Sequence, residues 1–142
     1  MSGWAVPEEL RYDVNDYWVR VGGDAAAEDS LVTIGLTDYG QDSIGDLLYL
    51  DPPAVGALLV RGAECGSLES GKWAGMLRAP VGGVVHRVNP LLAASLRVVN
   101  DDPFGAGWLL EVRLGPTGAA EFATLLTPAE YRASITYREA CL

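Results

Sequence analysis

Residues 64–88 read ECGSLESGKWAGMLRAPVGGVVHRV, and the fold turns on this stretch. Segments 64–68, 74–78 and 83–88 each have the length and composition of a short strand. Ser70-Gly71-Lys72-Trp73 separates the first two at hairpin length, with Gly71 able to take positive φ. A tight turn between strands projects its side chains from the body of a protein. Lys72 stands at this tip.

Lys72 is the only lysine of the chain, and the other nine basic residues are arginine. Wherever charge alone matters, this chain uses arginine. A guanidinium stays protonated and is a poor acyl acceptor, whereas an ε-amine can lose its proton and be acylated. The bland alternative is an ordinary solvated charge in an arginine-biased composition. Position and composition together favour an amine-specific role. Glu69, three residues earlier, is either a mark that a modifying enzyme reads or a plain surface carboxylate. Trp73 either stacks on an attached group or packs down onto the sheet.

The rest of the chain repeats the rhythm of short strands. Segments 18–21, 31–36, 47–50 and 108–114 read as strands, with Gly22-Gly23-Asp24 as a turn and Pro52-Pro53 as a stop. Thr37 as N-cap and Gly45 as stop frame a short helical turn. Further helices are expected at 90–94 and 118–126. Thr127-Pro128-Ala129-Glu130 is a capping box that opens a helix running to about Glu139, with a loose tail at 140–142. Short strands at close spacing predict a mainly β sandwich or barrel with minor helix.

Length and charge bound the function. The 142 residues predict one domain over 1–142, with its core at about 10–135 and enough apolar content for a core without disulfides. A formal charge of −9 excludes a basic nucleic-acid-binding face. The N-terminus shows no signal-peptide pattern and no run is long enough to span a bilayer. A cytoplasmic protein with no membrane partner is the expectation. Cys65 and Cys141 suit neither a disulfide framework nor a zinc site, and a single histidine, His86, makes no metal cluster. No metal is expected. His86 reads as a plain strand residue, Trp18 and Trp108 as core, and Asp101-Asp102 as a turn.

Four ordered motifs carry a resemblance. Glu69-Ser70-Gly71-Lys72, followed by 79–85 (APVGGVV), resembles the lipoyl-attachment region of the H proteins of the glycine cleavage system. Residues 37–42 (TDYGQD) with Gly45-Asp46 are similar to the family's TDYAQ…GD segment, and 99–109 (VNDDPFGAGWL) to its VNEDPYGEGWL segment. Tyr12 and Trp18-Val19-Arg20 match its opening strand. The resemblance implies a lipoyl/H-protein-like fold: a flattened β-barrel or hybrid-motif sandwich of two sheets, with short flanking and C-terminal helices. It implies lipoate bound covalently as an amide to Lys72, the attachment residue. Glu69, Gly71, Trp73, Gly62 and Gly83 would serve ligase recognition or hairpin shape. The protein would be a non-catalytic, monomeric carrier, a substrate of a lipoate-protein ligase, whose swinging arm raises effective concentration at its partners.

Two departures bear on which carrier this is. The family commonly reads ESVKAASD at the attachment site, where this chain has Gly71 and Trp73 around the lysine. The family also reads YTxxHEWV near its N-terminus, where this chain has Asp16 and Tyr17 for the His-Glu pair. The ESGKW form resembles H-like lipoate-binding proteins of bacterial sulfur oxidation. The expected function is therefore a carrier of sulfur intermediates or reducing equivalents, working with a heterodisulfide-reductase-like complex. The alternative is a glycine cleavage H protein carrying an aminomethyl group between the glycine cleavage enzymes. An alternative of another class is a non-lipoylated scaffold or binding module.

Overall fold

The computed structural model describes residues 3–23 and 26–141. Asp24 of the expected turn and Leu142 of the expected loose tail lie outside the described residues. Chain order begins β1 (Arg11–Tyr12), β2 (Tyr17–Val21), β3 (Leu31–Leu36), α1 (Asp38–Ile44), β4 (Leu47–Asp51) and β5 (Leu58–Leu59). It continues with β6 (Glu64–Ser70), β7 (Ala74–Arg78), β8 (Gly83–Val88), α2 (Leu91–Ala94) and α3 (Arg97–Asp101). It ends with β9 (Leu110–Leu114), α4 (Gly118–Ala123) and α5 (Pro128–Ala140).

The strands form two antiparallel sheets, as the resemblance implied. One runs β1-β2-β3-β9-β8-β5 and the other β4-β6-β7. Alternation builds the core between them. Val32 and Ile34 of β3 and Leu110, Val112 and Leu114 of β9 are every second residue of their strands, and all are buried. Leu47, Leu68 and Leu77 face them from the smaller sheet.

A second cluster lies around α5. Tyr131 and Ile135, four apart on one face, are fully buried against Leu10, Tyr12 and Trp18. The Tyr12 and Tyr131 rings stack at 4.6 Å. The capping box forms in full: Thr127 accepts from the Glu130 N–H, and the Glu130 carboxylate accepts from the Thr127 N–H at 2.8 Å. Thr37 caps α1 by accepting from the Gly40 N–H, and Gly45 ends it at φ +82°, a conformation that suits glycine.

The structure moves some expected boundaries. β9 begins at Leu110 and not at Trp108, because residues 102–107 wind into turns through hydrogen bonds from Gly105 and Gly107 to the Asp102 carbonyl. The Asp102 carboxylate accepts from the Ala106 N–H at 2.9 Å, so the expected turn at Asp101-Asp102 is real, but it follows a short helix, α3, that was not expected. α4 stops at Ala123 and not at Leu126, because Leu126 exchanges backbone hydrogen bonds with Tyr12. Trp18 is fully buried, while Trp108 is only half-buried.

Asp13, in the turn between β1 and β2, is buried and accepts the Asn15 and Tyr17 N–H groups on Oδ1 at 3.1 and 2.9 Å. Burial outweighs those bonds and pushes its carboxyl up to about 6. The native state therefore holds this proton to higher pH than the unfolded chain does. Stability falls as pH rises from about 4 to about 6, by on the order of 3 kcal/mol from this group. Asp13→Asn keeps the Oδ1 acceptor and should lack this component. Urea denaturation at pH 4 and pH 7 should show the variant gaining on wild type at the higher pH. An unchanged difference between the two proteins would contradict the assignment.

Candidate functional site

The hairpin of β6 and β7 ends in a two-residue tip. The Ser70 N–H donates to the Trp73 carbonyl at 2.7 Å, leaving Gly71 and Lys72 outside. Gly71 is not among the positive-φ glycines, which are Gly45, Gly56 and Gly62, and a Cβ on Gly71 would meet nothing. The turn therefore does not require glycine there. Gly71 lines the open hollow around Lys72 without adding a side chain to it.

The lysine stem rests on Gly45. A Cβ at Gly45 would stand 2.9 Å from Lys72 Cε, so this glycine both ends α1 and receives the lysine. Two side chains fasten the support. The Ser70 hydroxyl donates to the Ile44 carbonyl at the end of α1. Asn100 of α3 accepts the Leu47 N–H at 3.0 Å and donates to the Gly45 carbonyl at 2.9 Å. Gly45, Asp46, Leu48 and Gly71 line an open hollow around Lys72.

A separate cleft of about 470 Å³ adjoins the hairpin. Trp73, Met76, Ile44 and Leu68 form its apolar wall, and Asp16 and Arg138 its polar one. The Trp73 ring lies over Gly75, where any Cβ would collide with it. The ring packs down onto the sheet on that side and stays 42% exposed on the other, where it lines the cleft. Ile44 and Trp73 are the chain neighbours of Gly45 and Lys72, so the cleft begins where the lysine is seated.

The polar wall is a hydrogen-bonded network in which Arg138 Nε stays buried without a partner. Asp16 sits at φ +69° and its carboxylate takes both ends of the Arg138 guanidinium, at 2.7 and 3.1 Å. It also accepts from the Tyr131 hydroxyl at 2.8 Å, which lies 2.6 Å from Thr37 Oγ1. Arg138 lies over the Tyr39 ring at 4.8 Å. The Asp16 carboxylate pushes the guanidinium further up, and burial raises Tyr131 and Tyr17, so both tyrosines stay neutral phenols. The sequence pointed to Asp16 and Tyr17 only as departures. Arg138 carried no local signal, because it reaches Asp16 across 122 positions.

The remaining expected residues lie elsewhere on the hairpin or off it. Glu69 is exposed opposite Tyr49 and Ala74. Gly62, at φ +82°, turns the chain into β6, and its N–H donates to the Ala79 carbonyl at 2.8 Å, at the base of the hairpin. Gly83 belongs to β8 in the larger sheet, packed against the Arg113 backbone. His86 lies 3.7 Å from Glu111 on the sheet. Cys65 is half-buried and unpaired, and burial pushes its thiol up, away from the reactive thiolate. Among the described residues no three His, Cys, Asp or Glu side chains gather as metal ligands, and no helix is long and apolar enough to cross a membrane.

Comparison with known proteins agrees with this geometry. The description of the glycine cleavage H-protein family matches residues 10–138. A glycine cleavage system H protein of Mycobacterium leprae is 41% identical over 133 residues, covering 92% of this chain and 97% of the relative. One from Acinetobacter baumannii is 40% identical over 129 residues, covering 91% and 98%. The crystal structure of a glycine cleavage system H protein from Mycobacterium marinum superposes with a TM-score of 0.81 at 32% identity, covering 92% of this chain and 99% of that one. Sequence and fold thus converge: the chain belongs to the glycine cleavage H-protein family, a family of carriers and not of catalysts.

Proposed function

We propose that the protein is a lipoate carrier of the glycine cleavage system, acting as one unit over 1–142, with Lys72 as the attachment residue. The observation that carries this is the sole lysine at an exposed hairpin tip, seated on Gly45 beside an apolar cleft. The family and the relatives named above bear glycine cleavage names, which supports that setting over sulfur oxidation with a heterodisulfide-reductase-like complex. The partners are then the glycine cleavage enzymes and a lipoate-protein ligase.

The residues present fit such a group. Lys72 offers a primary amine, Gly45 and Gly71 leave room beside it, and Trp73, Met76, Ile44 and Leu68 offer an apolar wall. When bound, lipoate supplies a dithiolane that can hold a carried group and accept or return an electron pair. The chain's own residues do the rest. Lys72 Nζ, as the free amine, attacks the acyl carbon of an activated acyl donor held by the ligase. The amide C–N bond forms as the bond to the donor's leaving group breaks, the leaving group stays with the ligase, and Nζ releases one proton. Ser70 and Asn100 hold the tip against α1, and Gly45 sets the direction in which the stem leaves. The apolar wall excludes water from a group lying in the cleft. The Asp16–Arg138 pair keeps its far end polar with no net charge.

Co-expression with a lipoate-protein ligase in medium containing lipoate tests the carrier reading. Intact mass should show one lipoyl increment, and its absence would favour the scaffold alternative. Reconstitution with glycine decarboxylase and its partner enzymes tests the setting. The lipoylated protein should support glycine cleavage at a rate comparable to an ordinary H protein. Modification without glycine-dependent turnover would overturn the glycine cleavage setting and leave the carrier reading standing.

A further inference from the structure

A β-bulge beside Lys72 produces an exposure that the fold does not need. The register of β4 against β6 slips between Leu47 and Tyr49. A bulge re-aims side chains. Here Leu47 goes into the core, while Leu48 and Tyr49 both face solvent, at 68% and 50% exposed. Met76, 42% exposed, stands on β7, across β6 from Asp51 and in register with Ser67, and also borders the cleft. A cluster of large apolar side chains in water marks a contact surface when it is continuous.

The surround of this cluster is acidic. Asp46, Asp51 and Glu69 are all exposed around it. Arg97 is engaged by Asp46 at 3.8 Å and Asp101 at 3.5 Å, and Arg78, two residues beyond Met76 on β7, is engaged by Glu64 at 3.4 Å. Leu48 and Asp46 line the hollow that holds Lys72 itself. An enzyme whose active site reaches Lys72 Nζ meets the Asp46–Leu48 edge of this face, because that edge borders the hollow in which the stem rests on Gly45.

We infer that the outer face of the β4-β6-β7 sheet, centred on Leu48 and Tyr49 and rimmed by Asp46, Asp51 and Glu69, is the docking surface of the enzyme that acylates Lys72. That enzyme presents an apolar patch ringed by arginine or lysine at the mouth of its active site. The inference rests on Lys72 being the acylated residue. Complementary charge speeds encounter and sets register, and the apolar centre supplies affinity.

The test uses the full chain as substrate of a lipoate-protein ligase, with initial rates of acylation read by mass spectrometry. Leu48→Ser and Tyr49→Ser should each raise KM about tenfold, with kcat within about twofold. Asp46→Asn combined with Asp51→Asn should lower kcat/KM about fivefold at low salt and flatten its dependence on ionic strength. Glu28→Gln, on the connection between β2 and β3, is the charge control and should leave both unchanged. Thermal melts confirm that the variants remain folded, which exposed positions allow. Wild-type KM in both serine variants, or acidic-rim variants matching the Glu28→Gln control, would overturn the docking surface. So would a wild-type dimer in sedimentation that Leu48→Ser converts to monomer, since a second copy would then occupy the face. A wild-type protein with no acylation at Lys72 refutes the attachment reading itself, which keeps the two failures apart.

Discussion

Lys72→Arg is expected to abolish acylation completely while leaving the fold intact. The side chain is exposed, its amine makes no hydrogen bond or ion pair among the described residues, and an arginine stem can follow the same path over Gly45. Substitutions at such surface positions usually change stability by no more than about 0.5 kcal/mol. The chemistry, by contrast, has no substitute. A guanidinium does not deprotonate in the accessible pH range and does not form a stable amide. The chain holds no second lysine to take over, so the only other amine is the α-amino group. Intact-mass analysis after co-expression with a ligase should show a single unmodified species, with a melting temperature matching wild type. A variant that still carries the adduct would remove Lys72 from the site altogether.

Gly83→Ala is expected to be the most damaging single methyl group in the molecule. Gly83 lies in β8, opposite Leu114 of β9. A Cβ there would run into the Arg113 carbonyl and stand 2.9 Å from Val112 Cγ1. Neither neighbour can retreat. Val112 is fully buried, and β9 is hydrogen-bonded on its other edge to β3, so displacing it strains the centre of the larger sheet. Overpacking a core costs about 1–3 kcal/mol and occasionally more, and a clash with backbone belongs at the upper end. A loss of about 3 kcal/mol would lower the melting temperature by roughly 6–12 °C in a protein of this size. Gly71→Ala is the matched comparison. The same methyl group at the hairpin tip meets nothing, so it should leave the melting temperature within about 2 °C of wild type. Equal effects at the two positions would refute the packing argument for Gly83.

Much of the fold could be read from local chemistry. The Thr37 and Thr127 caps act within four residues, and the alternation in β3 and β9 survives any tertiary arrangement. The hairpin that presents Lys72 was legible for the same reason, because its two strands and its tip are contiguous. Features that depend on distant partners were not legible. β5 is two residues long and exists only because β8 offers it an edge. Leu126 looked like the end of a helix until Tyr12 took its backbone groups. The lysine was visible as a residue, but its seat was not. Gly45 and Asn100 reach it from 27 and 28 positions away in either direction, and only the packed fold shows that one receives its stem and the other holds that seat. The cleft is the extreme case, since its polar wall joins the first strands to the last helix.

The double fastening of the hairpin tip has a mechanical consequence. Ser70 ties the tip to the end of α1, and Asn100 ties the residues beneath it to α3. The base of Lys72 is thus a fixed pivot. A group attached to Nζ explores a half-sphere whose radius is set by the torsions of the lysine and its acyl chain, with no contribution from bending of the scaffold. The local concentration felt by a docked partner scales with the inverse of that small search volume. Loosening the pivot would enlarge the volume and dilute the carried group without altering any atom of it.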